Sequence, residues 1–231
     1  EGFTMYNINP DRAKDDSQEN IINTFLVPHY FEKVFINVRP VDDTDMQGKG
    51  VDFKCDSNTT KDMLVDVKAM SSKKYINDPR PTYSLEVSTY NRNGDEITGW
   101  FFSAESMTEY YTFVWIHDAK VDSNGRIRSA EDINKVEVMT VDAHALQDYI
   151  DDVLYDNDMD DIFQIAQSMR WREEQKIAVC PGICYRHSAH LPEKPVTLVV
   201  HKDILQRFAL SGIAGHCWVT KDGIKEIYRR V

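Results

Sequence analysis

One short segment, residues 48–70, constrains the fold and the chemistry of this chain more than any other part of its 231 residues. It has the pattern of two short strands joined by a polar turn, and a glycine-rich approach leads to Asp52. Side chains alternate between the two faces of a strand, so Asp66 and Lys68 share one face of the second strand. Isolated charges are costly in apolar surroundings. Two carboxylates beside a lysine therefore predict a site for a divalent cation and an anionic substrate.

The spacing of these residues resembles the signature of a known group of nucleases. Asp52 is followed, after 13 residues, by Asp66-Val67-Lys68. This pattern is similar to the Asp…(Asp/Glu)-x-Lys motif of the restriction-endonuclease-like nucleases, the PD-(D/E)xK superfamily. Val51 stands where the superfamily usually has proline. The order of glycine turn, strand, hairpin and strand is also that of the superfamily.

The resemblance implies an α/β fold with a restriction-endonuclease-like three-layer core. Its central mixed β-sheet would be flanked by helices and extended by C-terminal strand-helix additions. It also implies a deoxyribonuclease that depends on Mg²⁺, for which Mn²⁺ would substitute. Asp52, Asp66 and the backbone carbonyl of Val67 would bind the metal, and Lys68 would orient or activate a water molecule or stabilise the phosphate. Repair, recombination, phage or mobile-element DNA processing and restriction all use this core, and a homodimer would suit double-strand cuts.

Three other acidic residues are considered for the same site, two of them as competing candidates for one role. Residues 11–27 have apolar side chains at helical spacing and predict a helix that ends near Pro28. The superfamily often carries an acidic residue on the helix before its first strand, and here Glu19 takes that position, with Glu32 as the competing candidate. Glu86 would join the site if its strand paired beside that of Asp66. An exposed helix glutamate is the alternative for Glu19.

Two groups of side chains are candidates for contact with nucleic acid. Gln47 and Lys49 flank Asp52 in the sequence. A basic segment with one aromatic residue follows the second strand, and such a combination suits contact with phosphates and bases. The candidates in this segment are Lys73, Lys74, Tyr75 and Arg80. A solvated loop is the alternative for the segment.

The formal net charge of −11 is unusual for a protein that binds DNA, because Lys and Arg normally supply much of the affinity for phosphate. Residues 142–161 contain eight Asp and no Lys or Arg, so this stretch accounts for −8 and leaves about −3 elsewhere. A locally basic groove is therefore compatible with the sequence. The acidic stretch could mimic the charge of DNA or bind a basic partner. It is not an EF-hand, because Asp161 and Gln167 stand where that loop requires Gly and Glu.

Alternating apolar patterns predict the rest of a mixed sheet. The expected strands lie at 34–38, 83–90, 96–102 and 108–117. Aromatic residues between 100 and 115 are expected to fill a core rather than to stack on bases. Residues 136–150 and 196–209 each predict a strand that runs directly into a helix on the main sheet, and residues 162–176 have helical spacing. We expect 1–120 to form the nuclease core and 121–231 the additions, packed in a single domain.

A structural zinc site is the main alternative based on metal binding. Its candidate ligands are Cys180, Cys184, His187 and His190, although the Cys-x3-Cys spacing is unusual for zinc. A catalytically inactive module with the same fold, binding nucleic acid or protein, is the alternative to the nuclease. The sequence has no Ser/His/Asp motif and no phosphate-binding glycine loop, which leaves other catalytic classes without support.

The location of the protein is predicted from apolar runs and cysteines. No apolar run approaches the roughly 20 residues that span a bilayer, and the first residues lack the features of a secretory signal. Four scattered cysteines do not form a disulfide scaffold. These features predict a soluble protein without a membrane partner, in the cytoplasm of a bacterial or phage-infected cell.

Overall fold

Two β-sheets that pack against each other organise the chain. The structure is a computed structural model that describes residues 10–91 and 93–226. The helices are α1 (Pro10–Leu26), α2 (Glu32–Val34), α3 (Thr44–Gly48), α4 (Ala143–Asp156), α5 (Ile162–Trp171) and α6 (Lys202–Leu205). The strands are β1 (Ile36–Pro40), β2 (Phe53–Asp56), β3 (Met63–Met70), β4 (Thr82–Tyr90), β5 (Glu96–Thr98), β6 (Tyr110–Ala119), β7 (Ile133–Asp142), β8 (Lys176–Cys180), β9 (Ile183–His187), β10 (Val196–His201), β11 (His216–Thr220) and β12 (Gly223–Glu226).

The larger sheet is mixed and has seven strands in the order β1-β2-β3-β6-β7-β11-β12. Its neighbouring strands are antiparallel except for β3 and β6, which are parallel. The smaller, antiparallel sheet has the order β5-β4-β10-β9-β8. Its first two strands come from the connection between β3 and β6. Each sheet therefore takes strands from both 1–120 and 121–231, and residue 120 does not separate the sheets.

Apolar cores cover both faces of the larger sheet. On one face, α1 and the turn after it pack on β2, β3, β6 and β7 through residues such as Phe25, Phe31 and Val65. On the other face, the smaller sheet, α4 and α5 pack on β6 and β7 through residues such as Phe113 and Leu198. The expectation of a mixed α/β fold, with a mixed sheet flanked by helices, is thus confirmed.

The α-helical part of the first helix ends at Leu26, but the chain stays helical beyond it. It continues as a π-helical turn, Val27–Phe31, and then as α2. Pro28 lies inside this continuous helical path, where it removes one backbone N–H donor, and the hydrogen-bond spacing widens from α-helical to π-helical at this point. The wider turn buries Tyr30 and Phe31 in the core. The predicted end near Pro28 is therefore right for the α-helix and wrong for the helical path.

The two predicted strand-helix units have different outcomes. The first is confirmed as β7 followed by α4, and Asp142 caps the helix by accepting a hydrogen bond of 2.9 Å from the backbone N–H of Ala145. The second was expected on the main sheet, but β10 lies in the smaller sheet. Its helix, α6, has only four residues and passes into a 3-10 turn. The helix predicted within 162–176 is present as α5.

The strand predicted at 96–102 is also shorter than expected. It ends at Thr98, and residues Trp100–Phe102 form a 3-10 turn. Gly99 allows this change of direction, since a Cβ there would lie 2.4 Å from the backbone of Glu86. Phe101 then enters the core between the sheets, together with Phe113 and other aromatic residues. The prediction that these aromatics fill a core is confirmed for the buried members.

A buried carboxylate ties elements of both sheets together. Glu137 on β7 is 4% exposed, and it accepts hydrogen bonds from Nε2 of His117 at 2.9 Å, Nε2 of His216 at 2.7 Å and Nζ of Lys202 at 2.7 Å. Lys202 directly follows β10, so the network links the larger sheet to the smaller one. Burial alone would raise the pKa of Glu137, but these three donors hold it well below its usual value of 4.5.

This network predicts a specific loss of stability in acid. A carboxyl group with a lowered pKa in the folded state stabilises the fold above its unfolded pKa, here about 4.5, and loses that contribution as the pH falls further. Glu137→Gln should therefore reduce the free energy of unfolding at pH 7, and its difference from the wild type should shrink below pH 4.5. Urea unfolding at a series of pH values measures this difference. The exposed Glu32→Gln is the control, and a difference that does not depend on pH would contradict the assignment.

Among the described residues, none of the helices has both the length and the apolar character needed to cross a membrane.

Candidate functional site

The hairpin predicted at 48–70 is confirmed, and it places a buried ion pair between the two sheets. β2 and β3 are antiparallel neighbours, with Phe53 opposite Val65. Asp66 and Lys68 project from the face of β3 opposite the one that packs on α1, because the alternate residue Val67 belongs to the core with α1. Lys68 Nζ lies 2.8 Å from Asp66 Oδ2, and the two side chains are 24% and 3% exposed. Lys68 is thus the solvent-facing member of the pair.

Asp52 lies immediately before β2 and joins the site through the backbone. Its Oδ2 accepts a hydrogen bond of 2.7 Å from the N–H of Val67, and its own N–H donates to the carbonyl oxygen of Val65 at 2.9 Å. β2 begins at Phe53, so Asp52 lies just outside the strand. Its carboxylate accepts the hydrogen bond from β3 that a longer β2 would accept with a backbone carbonyl. This hydrogen bond holds the Asp52 carboxylate beside Val67, the residue between Asp66 and Lys68.

The charges around the pair are unbalanced. Burial raises the pKa of Asp66 to about 8; the charges of Asp52 and Glu19 add to this rise, and Lys68 opposes it. Burial would lower the pKa of Lys68, but Asp66, Asp52 and Glu19 outweigh that effect and raise it to about 12. One ammonium group thus serves several carboxylates, and a second cation would relieve their mutual repulsion. Glu19 on α1 acts on both groups through its charge, whereas Glu32 is exposed on α2.

Glu86 is near Lys68, although its strand does not pair beside that of Asp66. Its strand, β4, lies in the smaller sheet and does not pair with β3. Burial raises the pKa of Glu86 and outweighs two neighbours that lower it, the charge of Lys68 and the backbone N–H of Trp100. The condition set for Glu86, a strand paired beside β3, is therefore not met, because the local pattern of residues 82–90 does not encode which distant strand it pairs with.

Three residues at the site were not predicted as functional. The ring centroid of Trp100 lies 4.9 Å from Lys68 Nζ, a distance at which a cation interacts with an aromatic ring. Thr108 donates a hydrogen bond of 2.8 Å from its hydroxyl to the carbonyl oxygen of Gly50. Gly50 has φ +81°, and a Cβ there would lie 3.2 Å from Asp66 Oδ2. The glycine-rich approach to Asp52 was the available signal for Gly50, whereas Trp100 had only the signal of a core residue.

Gly50 provides a test of the close packing around Asp66. Gly50→Ala should destabilise the fold by about 1–3 kcal/mol for the left-handed backbone and by more for contact with Thr108 Oγ1, which a Cβ would approach to 2.9 Å. Gly94→Ala is the matched control, since Gly94 has φ +84° and a Cβ there would meet nothing within 4 Å. Chemical denaturation of both variants separates the two contributions. Equal losses for the two variants would show that Gly50 does not crowd the site.

The candidate residues for nucleic acid contact fall into two groups. Gln47 donates a hydrogen bond of 2.6 Å to the carbonyl oxygen of Val41, and Lys49 pairs with Asp45 at 2.8 Å, so both side chains near Asp52 have partners within the chain. The other four residues lie in the connection after β3. Lys74 and Arg80 approach the ring of Tyr75 at 5.8 and 5.6 Å, and Lys73 packs over Gly125.

The zinc alternative has no geometric support in the part of the chain that the structure describes. Within residues 10–91 and 93–226, no group of three or more His, Cys, Asp or Glu side chains is arranged to hold a metal ion. Cys184 and His187 lie three residues apart on β9 and therefore project to opposite faces of it. Cys180 ends β8, and His190 is exposed in the turn that follows β9.

Comparison of this chain with protein-family models, with curated proteins and with solved structures gives no match. The case for a function therefore depends on the chemistry of the site itself.

Proposed function

We propose that this protein is a metal-dependent nuclease that hydrolyses phosphodiester bonds of DNA on a restriction-endonuclease-like core. The observation that carries the proposal is the partly buried group of Asp52, Asp66 and Lys68, arranged on adjoining backbone segments of a mixed sheet. Its residues and spacing resemble the nuclease motif, apart from Val51 in place of proline. The presence of Glu19 on the preceding helix adds a fourth element of the resemblance.

The donor atoms at the site fit a hard divalent cation. Asp52 and Asp66 offer carboxylate oxygens and Val67 a backbone carbonyl, and Mg²⁺ prefers oxygen ligands and needs only one or two carboxylates from a protein. Burial, together with the charges of Asp52 and Glu19, raises the pKa of Asp66, and a bound cation would favour its ionised form. When bound, Mg²⁺ or Mn²⁺ would supply charge for the transition state and a water molecule of lowered pKa.

The side chains would divide the remaining work. The N–H of Val67 holds the Asp52 carboxylate in one orientation, so little ordering is needed when the site is used. Lys68 remains protonated near neutral pH, since its pKa is about 12, and its ammonium is the exposed end of the pair. It would position the attacked phosphate or its water and balance the charge that develops on the phosphate oxygens. Trp100 restricts the directions in which that ammonium can move.

A metal-dependence experiment tests this proposal. Protein stripped with EDTA and then given Mg²⁺ or Mn²⁺ should cleave DNA, and the activity should disappear again with excess EDTA. Supercoiled plasmid, linear duplex and single-stranded DNA should be tried in parallel, because loops rather than the core set the substrate form. Activity that survives EDTA, or cleavage of none of the three substrates, would refute the proposal.

A non-catalytic binding module is the second candidate, and one observation favours it. Among the described residues, no set of three or more His, Cys, Asp or Glu side chains is arranged to hold a metal ion at the site. Asp66 is also paired with Lys68 already. In this alternative the ion pair stabilises the interface between the sheets, and calorimetry would detect DNA binding without cleavage.

A further inference from the structure

A cavity of about 420 Å³ lies on the smaller sheet. One cross-strand row of that sheet contributes to its lining: Ser84 on β4, Val199 on β10, Cys184 on β9 and Ala178 on β8. The connection between β3 and β4 supplies the opposite side, including Tyr75 and Arg80. Strands and loop together make a concave surface with a rigid floor.

The charged groups of this cavity are all basic. Arg80, Lys176 and Arg186 line it, and none of its lining residues is Asp or Glu. The contrast with the chain as a whole is large, since the formal net charge is −11. Lys176 and Arg186 are direct cross-strand partners on β8 and β9. Like charges in that position destabilise a sheet, and an anion bound between them would remove the cost.

An aromatic ring borders the same cavity. Tyr75 is half-buried, so its orientation is constrained, and the Arg80 guanidinium carbon lies 5.6 Å from its ring centroid. A cationic surface combined with an aromatic platform is the arrangement that binds a single nucleic acid strand, with phosphates on the cations and a base on the ring.

The cavity adjoins the candidate catalytic group. Met70, which lines the cavity, follows Lys68 by two residues on the same face of β3. Ser84, also in the lining, precedes Glu86 by two residues on β4. Two residues of a strand span about 7 Å, which is close to the spacing of neighbouring phosphates in an extended strand.

We propose that this cavity is a binding site for single-stranded DNA, with Arg80, Lys176 and Arg186 on the phosphates and Tyr75 on a base. Binding at this site does not require the nuclease activity. Only its further role, to guide the strand past Lys68, rests on the function proposed above.

Fluorescence anisotropy with a labelled oligothymidylate, in EDTA so that no cleavage occurs, tests the proposal. Lys176→Glu with Arg186→Glu should raise the Kd at least tenfold and make the slope of log K against log salt shallower by about 1.4, the value for two lost phosphate contacts. The double variant Lys33→Glu with Lys120→Glu changes the net charge equally, at exposed positions outside the cavity. It should retain most of the affinity.

A single substitution separates binding from folding. Lys176→Glu places opposite charges on cross-strand partners, so the variant should unfold at the same or a higher urea concentration than the wild type while binding DNA more weakly. Tyr75→Phe should bind as the wild type does, and Tyr75→Ala should bind more weakly.

Three outcomes would overturn the proposal: no binding of oligothymidylate by the wild type at low salt, equal affinities of the cavity and control variants, or equal affinities for thymidine monophosphate and the oligonucleotide. Because EDTA is present throughout, a failure here is distinct from the absence of metal-dependent cleavage.

Discussion

Asp66→Asn is expected to lower the rate of Mg²⁺-dependent DNA cleavage by about a hundredfold to a thousandfold, the usual cost of removing one group that stabilises charge in a transition state. Asparagine keeps the shape of the side chain but removes the negative charge that a cation requires. Because Asp66 is only 2% exposed, there is no space at the site for a water molecule to take over the role of the lost carboxylate. Initial rates of plasmid nicking at saturating Mg²⁺ measure the loss.

The control for this variant is Asp62→Asn in the turn of the same hairpin. Asp62 is 71% exposed and pairs with Arg39 at the surface, and its φ of +51° is one that asparagine also adopts readily. This variant should cleave at the wild-type rate. Wild-type activity in Asp66→Asn, with Mg²⁺ still required, would remove Asp66 from the catalytic group and leave it as a structural residue.

Lys68→Met is expected to lower the free energy of unfolding by about 3–5 kcal/mol above pH 8, where Asp66 is ionised and is left buried without its partner. The pKa of Asp66 is raised to about 8 even beside Lys68, so the carboxyl takes up a proton at lower pH, and the loss should be smaller there. Asp66→Leu combined with Lys68→Met removes both charges and should recover most of the stability, as apolar replacements of buried ion pairs often do. Urea unfolding of the two variants measures both effects.

The same variant distinguishes a metal site from a purely structural ion pair. If Asp66 belongs to a cation site, Mg²⁺ should stabilise Lys68→Met more than the wild type, because the ion takes over the role of the lost ammonium. Lys49→Met is the control, since it breaks an exposed pair with Asp45 and should cost less than about 1 kcal/mol. Equal Mg²⁺ effects on Lys68→Met and on the wild type would favour the structural role.

Local patterns were sufficient to predict the hairpin and its charged face. Alternation along β3 places Asp66 and Lys68 on one face of the strand. The short turn between β2 and β3 makes β2 the neighbouring strand, so contacts between residues close in sequence determine these positions. The α-helix before it, the strand-helix unit of β7 and α4, and α5 were predictable for the same reason. In each of these segments, the spacing of the apolar residues is that of one helix or one strand, so the element can be predicted without knowing its partners.

The arrangement of strands in two sheets could not be predicted in this way. Residues 82–98 look like the next strands of the main sheet, yet they form β4 and β5 of the smaller sheet, where β4 pairs with β10, about a hundred residues later in the chain. Glu86 and Trp100 lie near Lys68 only because these strands belong to the smaller sheet. The π-helical turn after Leu26 was hidden for a related reason, because burial of Tyr30 and Phe31 decides the path and proline does not.

The parallel pairing of β3 with β6 has a consequence for how the molecule is made. The strands between them, β4 and β5, have no neighbour in their own sheet other than each other until β10 is available. During synthesis the ribosome must therefore release residues up to His201 before the second sheet can close. Contacts of such long sequence separation are formed slowly. Lys68 and its acidic neighbours are accordingly exposed to solvent during most of translation. The burial that shifts their pKa values arises only after the last third of the chain has been made.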